Sequence, residues 1–194
     1  ENVTATISFE DSSESVTVEG SSTYTFTQNG THTFIYNDAA GNTGEAAAEV
    51  TWIDKKSPIA TIAYSTEDET NDDVIATISF DEEGVTITNN NGSNTFTFTQ
   101  NDFFVFEYED AVGNTGSKEA RVDWIDKEPP NPTISYDCQT TTNGAVTATI
   151  SFDEQFITIT NNGSNAAYRF DENGSFTYYF EDKVGNIGTK TATV

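Results

Sequence analysis

Three stretches decide how this chain is read: VTATISFE from Val3 to Glu10, VIATISFD from Val74 to Asp81 and VTATISFD from Val146 to Asp153. Their starts lie 71 and 72 residues apart (74 − 3 and 146 − 74), a period that marks repetition of a whole structural unit. The same period carries FIYNDAAGNTG, FEYEDAVGNTG and YYFEDKVGNIG, so Asp38, Asp110 and Asp182 are equivalent. Each precedes a Gly-Asn pair, at Gly41-Asn42, Gly113-Asn114 and Gly185-Asn186. VTWIDK (Val50 to Lys55) and VDWIDK (Val122 to Lys127) also recur in phase, each followed closely by proline.

Proline cannot donate to a sheet ladder and holds its predecessor extended, so the WIDK-to-proline stretches read as boundaries. Cutting after Asp54 and Asp126 gives repeats 1–54, 55–126 and 127–194. On that division the first repeat lacks the leading strand that Ala60 to Tyr64 and Pro132 to Tyr136 supply to the others. The third stops before its own WID. This phase is expected of a stretch cropped from a longer array, or of a first repeat completed by a strand from a neighbouring molecule.

Within a repeat, Ala76 to Phe80, Phe96 to Thr99 and Phe104 to Tyr108 alternate apolar and polar residues with the period of two of half-buried strands. No window has a helical period. Asn29-Gly30, Asn91-Gly92, Asn162-Gly163 and Asn173-Gly174 read as turns, since Asn and Gly tolerate positive φ. Short strands separated by turns at this spacing predict an all-β chain of β-sandwiches. Six strands joined only by hairpins would return the chain to its starting end. The sequence therefore requires either a further short strand between Thr86 and Thr95 or a connection that crosses between sheets, as Greek keys do.

The 32 acidic against 8 basic residues give a formal charge of −24, which repels nucleic acid and anionic membrane surfaces and makes cations the natural partners. The single cysteine, Cys138, leaves no intrachain disulfide and no Cys/His zinc pattern. No apolar stretch is long enough to span a bilayer, so any export signal or anchor is expected outside these residues. Catalysis lacks parts: His32 is the sole histidine, so no Ser-His-Asp arrangement can repeat, and it reads as a surface residue in a strand. Trp52 and Trp124, at equivalent offsets before the boundaries, are expected to pack against the following repeat.

An aromatic strand, then D-x-x-G-N-x-G, then a strand ending in V-x-W-I-D with proline nearby, resembles the bacterial immunoglobulin-like (Ig-like) tandem repeats of large cell-surface proteins and adhesins. The resemblance spans essentially the whole chain. It implies three Ig-like Greek-key β-sandwich domains in an elongated rod, a structural stalk or spacer outside the cell. Ligand binding would lie in other domains, and the partners would be neighbouring repeats. Calcium at the domain junctions stiffens some adhesins of this kind.

In an Ig-like topology the B-to-C loop, the F-to-G turn and the incoming linker gather at one end of the domain. That places Asp54, Asp81, Glu82 and Asp110 at the first linker, and Asp126, Asp153, Glu154 and Asp182 at the second. Calcium takes six to eight oxygen ligands, so both sets are chemically suitable metal ligands. The first repeat keeps Glu10, Asp11 and Asp38 but has no incoming linker. Against the metal reading, the DxxGN aspartate can hold its own turn, and Asp54 and Asp126 can pair with Lys55 and Lys127. Two other functions compete with a spacer: a filament or surface-layer subunit completed by strand donation, and a carbohydrate-binding module of a secreted enzyme.

Overall fold

The computed structural model of the chain describes residues 1–10 and 15–194; Asp11 lies outside them. The chain forms two compact units, one of residues 1–59, 82–86 and 109–116, the other of 60–81, 87–108 and 117–194. The fold is all-β, a tandem set of antiparallel sandwiches.

The last repeat shows the pattern most completely. β12 (Pro132–Tyr136), β13 (Val146–Phe152) and β15 (Ala167–Phe170) form one sheet, and β14 (Thr158–Ile159), β16 (Ser175–Glu181) and β17 (Ile187–Thr193) the other. Ala148, Ile150 and Phe170 from the first sheet meet Ile159, Tyr178, Phe180 and Ala192 from the second in one buried core. The fully buried Tyr178 spans the two, its hydroxyl donating to the Ala148 carbonyl at 3.1 Å. Pro132 opens edge strand β12, where its missing N–H costs no ladder bond.

The connections β13 to β14, β14 to β15 and β15 to β16 each pass from one sheet to the other, which makes the sandwich a Greek key of Ig-like type. The second repeat has the same order: β6 (Ala60–Tyr64), β7 (Val74–Phe80) and β9 (Thr95–Phe98) against β8 (Thr86–Ile87), β10 (Asp102–Glu109) and β11 (Thr115–Val122). The first has β1 (Val3–Thr6) on β3 (Thr23–Phe26), facing β2 (Thr17–Val18), β4 (Gly30–Asn37) and β5 (Thr43–Val50). Among the described residues its first sheet has two strands where the others have three.

The crossing, rather than a seventh strand, resolves the topological requirement. Tyr136 ends β12, and its hydroxyl accepts the N–H of Thr193, which ends β17, at 3.0 Å. The last repeat is therefore entered at one end and left at the other. Strand β14 is only two residues long, but Asn161 continues its work. Its side-chain amide donates to the Thr177 carbonyl at 2.8 Å and accepts the Tyr179 N–H at 3.1 Å, imitating a further rung on β16. Asn89 does the same against Val105 and Glu107.

Of the four Asn-Gly pairs read as turns above, only Asn91-Gly92 and Asn162-Gly163 take positive φ. Both lie in the 3-10 turns that make the crossing, not in hairpins. Asn29, Gly30, Asn173 and Gly174 keep negative φ, and Asn29 serves the linker instead. His32 is not a bare surface residue either. It stacks on Tyr24 with ring centres 3.8 Å apart, as Phe104 does on Phe96 and Phe176 on Tyr168. These rings face each other, so they close the sandwich and offer no flat platform to a sugar.

The last glycine of the DxxGNxG pattern is required by packing. Gly188 lies opposite Phe180 in the β16–β17 register, and a Cβ there would come 2.9 Å from the ring Cζ; Gly44 stands likewise under Tyr36. Gly188→Ala is expected to destabilise the last repeat by about 1–3 kcal/mol through overpacking. An unchanged thermal midpoint would show that the ring swings clear.

Candidate functional site

The DxxGN aspartate is the best-determined feature of each repeat. Asp182 is 6% exposed. Its Oδ1 accepts the N–H groups of Val184 and Asn186, both at 2.9 Å, and its Oδ2 accepts the Asn186 side-chain amide at 2.8 Å. Asp110 and Asp38 accept the same three bonds in their own turns. Burial alone would raise the pKa of Asp182, but the hydrogen bonds from Asn186, Val184 and Gly185 outweigh it and hold the carboxyl below its usual range. The local turn role anticipated for this residue is what the structure shows.

Residues 124–126 are fastened from both sides. The Asn101 side chain donates to the Ile125 carbonyl at 2.8 Å and accepts its N–H at 2.7 Å, and Asn29 holds Ile53 with the same two bonds. The loop between β6 and β7 adds a parallel bridge at Thr70. Its N–H donates to the Trp124 carbonyl at 3.1 Å, and its carbonyl accepts from Asp126 at 2.8 Å. From the third repeat, the Asn186 amide that caps Asp182 also donates to the Asp126 carbonyl at 3.0 Å. Lys183 pairs with Glu69, and Lys127 with Asp73 at 2.5 Å. Both pairs are about half exposed and add little energy.

Two sequence expectations are corrected here. Trp124 packs within its own repeat, edge-on to Tyr64 with centres 5.1 Å apart and with Nε1 donating to the Thr66 carbonyl at 3.2 Å. Trp52 is 65% exposed. Nor do the lysines neutralise the adjacent aspartates. Lys127 reaches Asp73, Lys55 reaches the Asn2 side chain at 3.3 Å, and Asp54 and Asp126 accept backbone N–H groups two residues on, both at 3.0 Å. The acidic loop at Glu67–Asp73 supplies the carboxylates of both cross-repeat ion pairs.

Of the carboxylates expected at the second linker, Asp126, Glu154 and Asp182 place oxygens within 4.8 Å of one another, the one such trio among the described residues. Asp153 stands beside them. Glu154 is exposed, but partial desolvation, then repulsion from Asp126, Asp153, Asp182 and Glu128, raises its pKa. At the first linker, Asp54 and Asp110 hold the turns described, and Glu82 follows Asp81 in the loop after β7. Asp81 adds to the burial that raises the Tyr108 hydroxyl.

No family model and no curated protein matches the chain. Among solved structures it is similar to extracellular cadherin domains 1–4 of protocadherin gamma B7, at 9% identity and a TM-score of 0.34. The match covers the whole of this chain and 66% of that one. So slight a likeness transfers no ligand, partner or activity. No helix among the described residues is long and apolar enough to cross a membrane.

Proposed function

We propose that the chain is a non-enzymatic structural spacer, a run of sandwich repeats in an extracellular bacterial surface protein of the adhesin kind, with calcium bound at its linkers. One observation carries the reading: residues 124–126 are held by Asn101 and Thr70 of the second repeat and by Asn186 of the third. A joint fastened from both sides is what a spacer needs.

The donor set fits a hard divalent cation. Three carboxylates offer oxygens within 4.8 Å, close to the separation of two ligands each 2.3–2.6 Å from one calcium ion. Asp182 Oδ1 already accepts two hydrogen bonds, but Oδ2 accepts one and keeps a further lone pair for a metal. Partial desolvation and then like charges raise Glu154, and a cation would relieve the repulsive part. Asp126, Glu154 and Asp182 would hold the ion.

Calcium at about a hundredfold excess over Kd should stabilise the folded chain by about 2.7 kcal/mol, a rise in thermal midpoint of about 5–10 °C over an EDTA control. In EDTA at pH 7, Glu154→Gln should itself raise the midpoint by about 1–2 °C, because an acid with a raised folded pKa opposes folding while ionised. The same substitution should diminish the calcium response. Equal midpoints with and without calcium would remove the metal from the proposal and leave the spacer, which solution scattering tests separately through the maximum dimension.

A further inference from the structure

The seat that receives Trp124 and Ile125 in the second repeat is built again in the third, 72 residues on. Asn173 stands where Asn101 stands, Tyr136 where Tyr64, Cys138 where Thr66, Thr142 where Thr70 and Val194 where Val122. The correspondence holds in bonds as well as in sequence. The Tyr136 hydroxyl accepts from Thr193 at 3.0 Å, as Tyr64 accepts from Arg121 at 2.9 Å. Thr142 Oγ1 accepts the Gly144 N–H at 3.0 Å, as Thr70 Oγ1 accepts that of Asp72 at 3.0 Å, so the two receiving loops share a turn. Between these residues lies a cavity of about 660 Å³ lined by Tyr136, Cys138, Thr142, Asn173 and Val194 among others.

We infer that this cavity is a receptor slot for an extended peptide segment of Trp-Ile-Asp pattern. The Asn173 amide is placed to take the isoleucine N–H and carbonyl, as Asn101 and Asn29 take those of Ile125 and Ile53. The face of Tyr136 is placed to receive the tryptophan edge and the Cys138 carbonyl its Nε1–H, the parts that Tyr64 and Thr66 play for Trp124. The Thr142 backbone is placed to form the parallel bridge. One feature does not repeat. Asp73, which binds Lys127, has Ala145 as its counterpart, and Glu69 has Thr141. The slot thus recognises aromatic, aliphatic and backbone groups and is indifferent to a lysine after the aspartate.

The test is to append Asp-Trp-Ile-Asp-Lys, the sequence of residues 123–127, after Val194 and compare thermal midpoints with the unextended chain, both in EDTA. The extension should raise the midpoint of the last repeat by about 5 °C and shift the Asn173 side-chain amide in a nitrogen–proton NMR spectrum. Replacing the added tryptophan by alanine, or making Asn173→Ala in the extended chain, should abolish both effects. Replacing the added lysine by glutamate should leave them intact. An extended chain that melts with the unextended one, or a gain that survives both alanine substitutions, would overturn the inference. The calcium and spacer proposals stand or fall apart from it, since every arm is metal-free.

Discussion

Asp182→Ala should lower the stability of the last repeat by about 3 kcal/mol, a fall in its thermal midpoint of about 12–24 °C, with EDTA present so that no metal contributes. The substitution removes the acceptor of three hydrogen bonds at a buried position and strands the N–H groups of Val184 and Asn186. It also releases the Asn186 amide, which otherwise holds the Asp126 carbonyl. Asp182→Asn, which keeps a carbonyl oxygen in place, should cost less. The folded pKa of Asp182 is depressed, so its contribution is fully present above the ordinary carboxyl value near 4 and is lost as pH falls through the lower folded value. The gap between wild type and Asp182→Ala should therefore close below about pH 4. A gap that stayed constant down to pH 2 would show that the ionised carboxylate is not what holds the turn.

Asn101→Ala should cost about 2–3 kcal/mol, because it leaves both backbone polar groups of the buried Ile125 without partners. Hydrogen exchange gives the sharpest reading. The Ile125 amide should exchange roughly 30- to 150-fold faster by local opening, while amides in β13 and β16 keep their protection. Asn101→Asp retains the acceptor and loses the donor, and should fall between. If Ile125 were protected equally in wild type and Asn101→Ala, the linker would be fastened chiefly by Thr70.

The fold was legible because its determinants are local and recur: the alternation of VIATISF and the glycine after the Asn of DxxGN three times, and proline after WID twice. The Greek key was legible only as an either-or, because the crossing rests on a two-residue strand that leaves no periodic trace. Asn89 and Asn161 do part of its work with side chains, which a strand pattern does not register. The linker was misread for a related reason. Asn29 and Asn173 look like hairpin residues beside glycine, yet Asn29 and Asn101 spend their amides on a backbone 24 residues away. The cross-repeat ion pairs were invisible because Glu69 and Lys183 are far apart in sequence and unmatched in the other repeats. The trio of Asp126, Glu154 and Asp182 was reachable in advance only because loop positions follow from topology once the repeat is aligned.

The parallel course of β12 and β17, which start near one end of the last repeat and finish near the other, has a mechanical meaning. A pull applied at Pro132 and Thr193 draws β12 lengthwise along β13 and β17 lengthwise along β16. Each strand is then loaded in shear, and the hydrogen bonds along its ladder must yield together. Had both termini emerged at one end, the same pull would peel a strand away one rung at a time. The crossing through Asn162–Ser164, a few residues held at positive φ, thus determines whether tension meets the sheet as a rope or as a zip.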